Sequence, residues 1–450
     1  MTTETKQTIV IIGAEAAGMS AAAKARRTDR HADILVFEQS HVVSFGACGL
    51  PYYVGDNFDD TSYMAERSVE QFRESGIDLR IGHQVLSVDA NSQSLKVKDL
   101  ASGEVFEQGY DRLMIASGAS VIRPPIAGLD DESVFFLKTM DDGINLKQRV
   151  QDETVQETVV IGAGYIGLEV VEALVHQGKK VRLIELSERV LSESFDSEMS
   201  ELVQQELIDN QVALHLNERV ESIESQEGSR WVVTNLGRYP ADLVVVATGV
   251  KPNTEFLAST GIERLGNGAI VIDQQGRTSL SNVYAAGDCA TVWHRLRQQA
   301  VYIPLATTAN KIGRLLGENL CGGAKVFSGT LGSAGVKVLG VEAGRTGISE
   351  REAAQLGWQV KSVVINDKNT TNYVAGQQAI RVKLIYDAES KRILGGQIAG
   401  GAGSVLRVDT IAAAIQGGLT TEDLGMMDLV YAPPFARTWD ALNVAGNVAK

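Results

Sequence analysis

Cysteine is scarce. Three residues, Cys48, Cys289 and Cys321, are scattered through 450 positions, too few and too far apart for a disulfide framework. The thiols are therefore expected to be reduced, either buried or reactive, in a cytoplasmic protein. Proline is also sparse, at 8 residues, and apolar residues reach 44%, which excludes a disordered or collagen-like chain. Basic residues fall short of acidic ones, 42 against 56, leaving a formal charge of −14. Such a chain lacks the basic footprint of a nucleic-acid binder or a membrane-surface protein. No apolar run approaches ~18 residues, so no membrane-spanning helix is expected. The polar start MTTETKQ has no signal-peptide layout. No metal ligand set is expected.

Glycine, by contrast, is plentiful at 45 residues. Residues 8–12 (TIVII) form a β-branched run that predicts a strand buried on both faces. Gly13-Ala14-Glu15-Ala16-Ala17-Gly18 follows, then the helical stretch MSAAAKARR. This is the spacing of a dinucleotide fingerprint whose middle glycine is replaced by Glu15. Gly13 permits the tight turn, Gly18 lets the helix approach the strand, and the helix N-terminus offers N–H groups to a pyrophosphate. A second strand, DILVFE, ends at Glu38, 20 residues after Gly18, where a carboxylate meets ribose hydroxyls. The pattern recurs over residues 158–174, with Gly162, Gly164 and Gly167, and the next strand, KVRLIE, ends at Glu185, 18 residues after Gly167. Two such units point to two nucleotides and to electron transfer between two cofactors. Residues 239–253 read as one buried strand ending in a glycine turn. Residues 280–290 read as a strand running into Gly287-Asp288, where Asp288 either accepts hydrogen bonds from a polyol or caps a helix. Exit and return strands at 113–120 and 243–250 make residues 119–244 an insertion carrying the second unit.

The order of these motifs resembles the FAD-dependent pyridine nucleotide-disulfide oxidoreductases, and the likeness runs through essentially the whole chain. It implies an α/β fold with two Rossmann-like domains and a C-terminal α/β dimerisation domain. The FAD domain would take residues 1–118 and 245–322, the NAD(P)H domain 119–244, and the dimerisation domain 323–450. Within the last, strands are expected at 334–339, 360–365 and 379–386, with a helix near 408–416. The resemblance assigns cofactor contacts to Gly13, Ala14, Ala16, Ala17, Gly18, Glu38, Ser44, Val85, Ser117, Gly118, Gly162, Gly164, Tyr165, Ile166, Gly167, Glu169, Glu185, Gly249, Gly287, Asp288 and Ala306. Glu38 would hold the adenosine ribose of FAD and Asp288 its ribitol. Tyr165 would gate the nicotinamide, and Glu169 would face the flavin–nicotinamide boundary.

Cys48 lies in SFGACGLPYYVGD (44–56), and Tyr53 stands five positions on, where the standard disulfide reductases carry a second cysteine. The pattern SFxxCxLPYY is similar to the single-cysteine branch: coenzyme A-disulfide reductase, NADH oxidase, NADH peroxidase and persulfide reductases. Peroxidases and many oxidases of that branch carry a His where this chain has Ala16. Residues 431–446, YAPPFARTWDALNVAG, resemble the C-terminus of coenzyme A-disulfide reductases. By that resemblance Tyr431 reaches across a homodimer toward Cys48, completing a shared active site. Tyr373, in NYVAG, matches the first Tyr of a second segment, and Val374 replaces the next one. Lys24 and Arg27, near the end of the first helix, and Arg67 are candidates for coenzyme A phosphates. A short basic run there also complements the helix dipole.

The expected substrate is a small thiol or disulfide. The leading function is reduction of coenzyme A disulfide, or of a related persulfide or polysulfide, through a mixed disulfide at Cys48, with Tyr431 as general acid. A water-forming NADH oxidase, using Cys48 as a sulfenic acid, and a redox sensor without turnover stay open. NADH is expected over NADPH, because Glu185, Leu186, Ser187 and Glu188 offer no cation before Arg189.

Overall fold

The computed structural model describes residues 6–226 and 229–450. The chain divides into two compact units. The first holds residues 6–50, Asp59–Ile122 and Val250–Thr330. The second holds Pro51–Phe58, Arg123–Gly249 and Leu331–Lys450.

In the first unit, Thr8–Ile12 is the central strand of a five-stranded sheet. Asp33–Phe37 and Asp78–Arg80 lie on one side, Arg112–Ile115 and Val283–Ala285 on the other, all parallel. Its β-branched residues are buried, Ile9, Val10 and Ile11 being fully inaccessible. Ala16–Thr28 packs on this sheet, and Ala306–Asn319 packs on Ala16–Thr28. The helix pair is close because Gly313 and Gly317 face backbone. A Cβ on Gly313 would lie 2.3 Å from the Ala17 oxygen, and one on Gly317 would lie 2.6 Å from the Ala21 oxygen. An antiparallel meander, His83–Asp89, Ser94–Asp99 and Val105–Gly109, completes the apolar layer around Leu95 and Val97.

The second unit repeats the plan. Glu157–Ile161 is central in a five-stranded parallel sheet with Lys180–Ile184, Ala213–His215, Leu243–Val246 and Val134–Phe135. A separate five-stranded antiparallel sheet runs Ala334–Val338, Val341–Gly347, Ile393–Gly400, Ala379–Asp387, Val360–Lys368 in spatial order. Helix Ser404–Gly417 packs against it.

Several elements are shorter or more divided than the sequence suggests. Residues 239–253 form three strands, Arg238–Pro240, Leu243–Val246 and Val250–Pro252, each in a different sheet. Gly249, at φ +104°, turns the chain where one continuous strand was expected. Gly118, at φ +66°, likewise separates Arg112–Ile115 from Ala119–Val121. The C-terminal helix starts four residues earlier than expected, at Ser404. Among the described residues no helix is long and apolar enough to cross a membrane.

Candidate active site

The two fingerprint loops are built alike. Each central strand ends in a glycine whose N–H binds the neighbouring strand: Gly13 to the Phe37 oxygen at 2.8 Å, Gly162 to the Ile184 oxygen at 2.9 Å. Gly13 (φ +99°) and Gly162 (φ +103°) occupy backbone regions closed to L-residues. A Cβ on Gly18 would stand 1.9 Å from the Gly13 oxygen, and one on Gly167 would stand 2.0 Å from the Gly162 oxygen. These glycines are required by the fold itself. Gly164 differs: a Cβ there would meet nothing within 4 Å. The space it leaves open lies at the start of helix Tyr165–His176, where N–H groups without helical partners suit a pyrophosphate.

The acidic residues sit one position beyond their strands, which close at Phe37 and Ile184. The Glu38 carboxylate accepts N–H groups from Ala14 and Ser40, both at 2.8 Å. The Glu185 carboxylate accepts those of Ala163 at 2.6 Å and Ser187 at 2.7 Å. Each carboxylate is thus fixed against the loop where a nucleotide ribose would lie. The fit to two dinucleotides rests on this duplicated cradle.

The other candidates of the first unit converge on the same end of its sheet. Ser44, at φ +51°, donates its N–H to the Ala14 oxygen at 2.8 Å. A Cβ on Gly287 would lie 3.2 Å from the Ala17 methyl. The Ser117 hydroxyl donates to the Asn253 oxygen at 2.7 Å, and the Asn253 amide returns a bond to the Ser117 oxygen at 3.1 Å. Tyr302 donates to the Asp288 carbonyl at 3.1 Å. Ala306 opens the helix stacked on Ala16–Thr28. Val85 lies apart from these loops, half-buried in the apolar layer of the meander. Neither Asn253, which closes the 239–253 segment, nor Tyr302 was singled out from the sequence as a site residue.

Cys48 is exposed, in a short 3₁₀ turn, Ala47–Gly49, that runs into helix Leu50–Val54. Pro51 suits the first turn of that helix, where no N–H bond is lost. Of the other cysteines, Cys289 is fully buried, its thiol pointing at the Ile115 and Ala286 oxygens and pushed up to about 11 by burial. The Cys321 thiol, also pushed up to about 11 by burial, points at the Ala25 oxygen.

Residues 51–58 belong to the second unit and are pinned to it. Tyr53 is buried, with the Lys147 ammonium 4.3 Å from its ring centre. Lys147 also pairs with Asp56 at 2.6 Å and holds that carboxyl below its ordinary range. The Tyr52 hydroxyl donates to Glu169 at 3.4 Å. Burial pushes Glu169 up to about 7, against that bond and with help from the nearby Glu172 charge. Tyr165 is half-buried, its ring centre 6.4 Å from that of Phe195, while Ile166 stands more exposed.

The two C-terminal tyrosines come together: the hydroxyls of Tyr373 and Tyr431 are 3.2 Å apart. This bond lowers Tyr431 and raises Tyr373 from the ordinary phenol range. Arg407, unmarked in the sequence, ties both segments down through the Asn369 oxygen at 2.9 Å and the Phe435 oxygen at 3.0 Å. Around the pair, Val430, Phe435 and Trp439 are exposed. Lys24 pairs with Glu318 at 2.9 Å. Arg27 lines a basic cavity of about 600 Å³ with Arg26, Arg30 and His31. Arg67 lies over the Phe72 ring at 5.8 Å.

Residues 7–313 match the profile of the pyridine nucleotide-disulphide oxidoreductases, and residues 333–442 match that family's dimerisation domain. An NAD(P)H sulfur oxidoreductase (CoA-dependent) of Pyrococcus abyssi is 39% identical over 99% of this chain and 98% of its own. An NADH oxidase of Enterococcus faecalis is 31% identical over 98% of this chain and 99% of its own. The solved NAD-dependent persulfide reductase of A. fulgidus superposes with a TM-score of 0.94 at 36% identity, covering 98% of this chain and 83% of that one. Duplicated cradle, sequence and fold agree: the chain belongs to the pyridine nucleotide-disulphide oxidoreductases, flavoproteins that use FAD and NAD(P)H.

Proposed function

We propose that the chain reduces coenzyme A disulfide, or a related persulfide or polysulfide, with NAD(P)H as electron donor and Cys48 as its one redox sulfur. The carrying observation is the state of the cysteines. Cys48 alone of the three is exposed, the position five residues on is a buried Tyr53, and Cys289 is sealed. A sulfur partner for Cys48 therefore has to arrive with the substrate.

The Cys48 thiolate attacks one sulfur of the substrate disulfide, forms Cys48–S–S–CoA and releases one coenzyme A thiolate. Two electrons then cleave the mixed disulfide, restore the Cys48 thiolate and release the second. The balance is NADH + H⁺ + CoA–S–S–CoA → NAD⁺ + 2 CoA–SH, and a persulfide gives a thiol and H₂S instead. Bound FAD would supply the two-electron chemistry that links the nicotinamide to sulfur. The Gly13 loop, Glu38, Ser44 and Gly287 would hold FAD, and the Gly164 gap with Glu185 would hold the nicotinamide nucleotide. Tyr431, its phenol made more acidic by Tyr373, gives a proton to the departing thiolate. The chain works as a homodimer, each Tyr431 serving the partner's Cys48, with the exposed Val430, Phe435 and Trp439 as part of the interface. Arg27 and its basic cavity accept phosphates of coenzyme A.

NADH oxidation by O₂ is the competing reading, and Ala16, in place of the His expected of many oxidases, weighs against it. Intact-protein mass spectrometry together with turnover tests the choice. A coenzyme A adduct on Cys48 and NADH-driven thiol release support the reductase. O₂ consumption to water, with no turnover on any disulfide, replaces it with the oxidase.

A further inference from the structure

We propose that Arg345, with Gln397 and Lys383, is a positioning residue for the nicotinamide end of the second nucleotide site, acting through residues 191–196 on Tyr165. The proposal rests on reading Tyr165 as the residue that gates the nicotinamide. The turn is part of the loop's own scaffold. Leu191, at φ +52°, donates its N–H to the Ala163 oxygen at 2.9 Å, inside the fingerprint. Its carbonyl accepts the N–H groups of Ser194 and Phe195, both at 2.9 Å. Phe195 is buried and sets its ring beside Tyr165.

The C-terminal antiparallel sheet, which carries no nucleotide motif, grips this turn with buried polar side chains. Arg345 donates to the Ser194 oxygen at 2.7 Å, to the Gly347 oxygen at 2.9 Å and to Glu352 at 2.7 Å. Gln397, 1% exposed, brackets Asp196: its carbonyl accepts the Asp196 N–H at 2.9 Å and its amide donates to the carboxylate at 2.8 Å. Lys383, also 1% exposed, pairs with Asp196 at 3.2 Å, Glu198 at 3.1 Å and Glu350 at 2.5 Å. Apolar side chains of similar volume would join these layers at least as firmly. A directional set of donors instead fixes where Ser194 and Asp196 stand, and so where Phe195 presents its ring to Tyr165.

The test compares two non-reacting probes, NAD⁺ and ADP-ribose, by calorimetric titration of the oxidised FAD-loaded protein. ADP-ribose lacks the nicotinamide, so the ratio of the two affinities isolates the nicotinamide end. Arg345→Gln should change that ratio by about tenfold and leave ADP-ribose binding and FAD content as in wild type. In a Tyr165→Ala background the same substitution should add nothing. Equal loss of both probes, or full additivity with Tyr165→Ala, would overturn the clamp. A Tyr165→Ala protein with a wild-type ratio would instead remove the gating reading, and the proposal with it. If Arg345→Gln does not fold, Phe195→Leu enters the same cycle with the same expected outcomes.

Discussion

A preference for NADH over NADPH is expected to turn on Glu185, a carboxylate whose surroundings are defined. Glu185 is held by two short bonds, from the Ala163 and Ser187 N–H groups at 2.6 and 2.7 Å, so it cannot swing aside without freeing both. The nearest cation in sequence, Arg189, is committed elsewhere: it pairs with Glu188 at 2.6 Å and reaches the Ser192 oxygen at 3.4 Å. A 2′-phosphate placed here meets a fixed negative charge with no counter-charge in the turn. A missing or inverted charge-assisted contact costs about 1–3 kcal/mol, which is roughly a 5- to 150-fold preference for NADH in kcat/KM. Glu185→Ala removes the repulsion together with the ribose acceptor, so NADH should weaken and the preference should shrink to within about threefold. Glu185→Gln, which keeps an acceptor but loses the charge, should fall between. Steady-state kcat/KM for both cofactors on the three proteins is the assay. A wild-type protein that uses NADPH as well as NADH, or a Glu185→Ala protein with an unchanged ratio, would refute the reasoning.

Cys48→Ser should abolish disulfide turnover yet leave FAD bound and bleachable by NADH in rapid mixing, since neither fingerprint uses that side chain; near-normal turnover would exclude Cys48 as the redox sulfur. Mixing Cys48→Ser with Tyr431→Phe chains should recover part of the activity if the site is shared across a two-fold axis, and no recovery in proven heterodimers would reject sharing. Glu169, raised from 4.5 to about 7 mainly by burial, is held protonated by the folded protein at pH values where the unfolded chain would ionise it. Its contribution to stability is fully present below pH 4.5 and is lost as pH rises through about 7. The melting temperature of Glu169→Gln should lack that decline, and the pH profile of kcat/KM for NADH should lose an inflection near 7; matching profiles for variant and wild type would show that Glu169 does not titrate there.

The nucleotide cradles were legible because their glycines answer to steric necessity. Gly13, Gly18, Gly162 and Gly167 stand where a Cβ would strike backbone oxygen, and a constraint that hard leaves a fixed spacing in the sequence. The acidic partners were legible from the length of one helix and one strand. Residues 51–58 were less so: LPYYV contains a helix-breaking residue, yet Pro51 in the first turn lets a helix form. The clamp on residues 191–196 could not be read at all. Lys383 and Gln397 occupy strand positions that look like solvent-facing polar sites, and only tertiary cover makes them buried. Arg407 was hidden in the same way, the one cation on helix Ser404–Gly417.

The order of strands in the first sheet also sets a timetable for synthesis. Val283–Ala285 closes one edge of that sheet beside Arg112–Ile115, and the helix covering Ala16–Thr28 ends only at Asn319. The parallel sheet of the second unit, by contrast, draws all its strands from residues 134–246. A chain leaving the ribosome at about 5–20 residues per second therefore completes the parallel sheet of the second unit several seconds before that of the first can close. Through that interval the apolar face of Ala16–Thr28 that turns away from the sheet awaits a helix still to be translated. The parallel sheet of the first unit, rather than that of the second, is therefore expected to be the later of the two to form during synthesis.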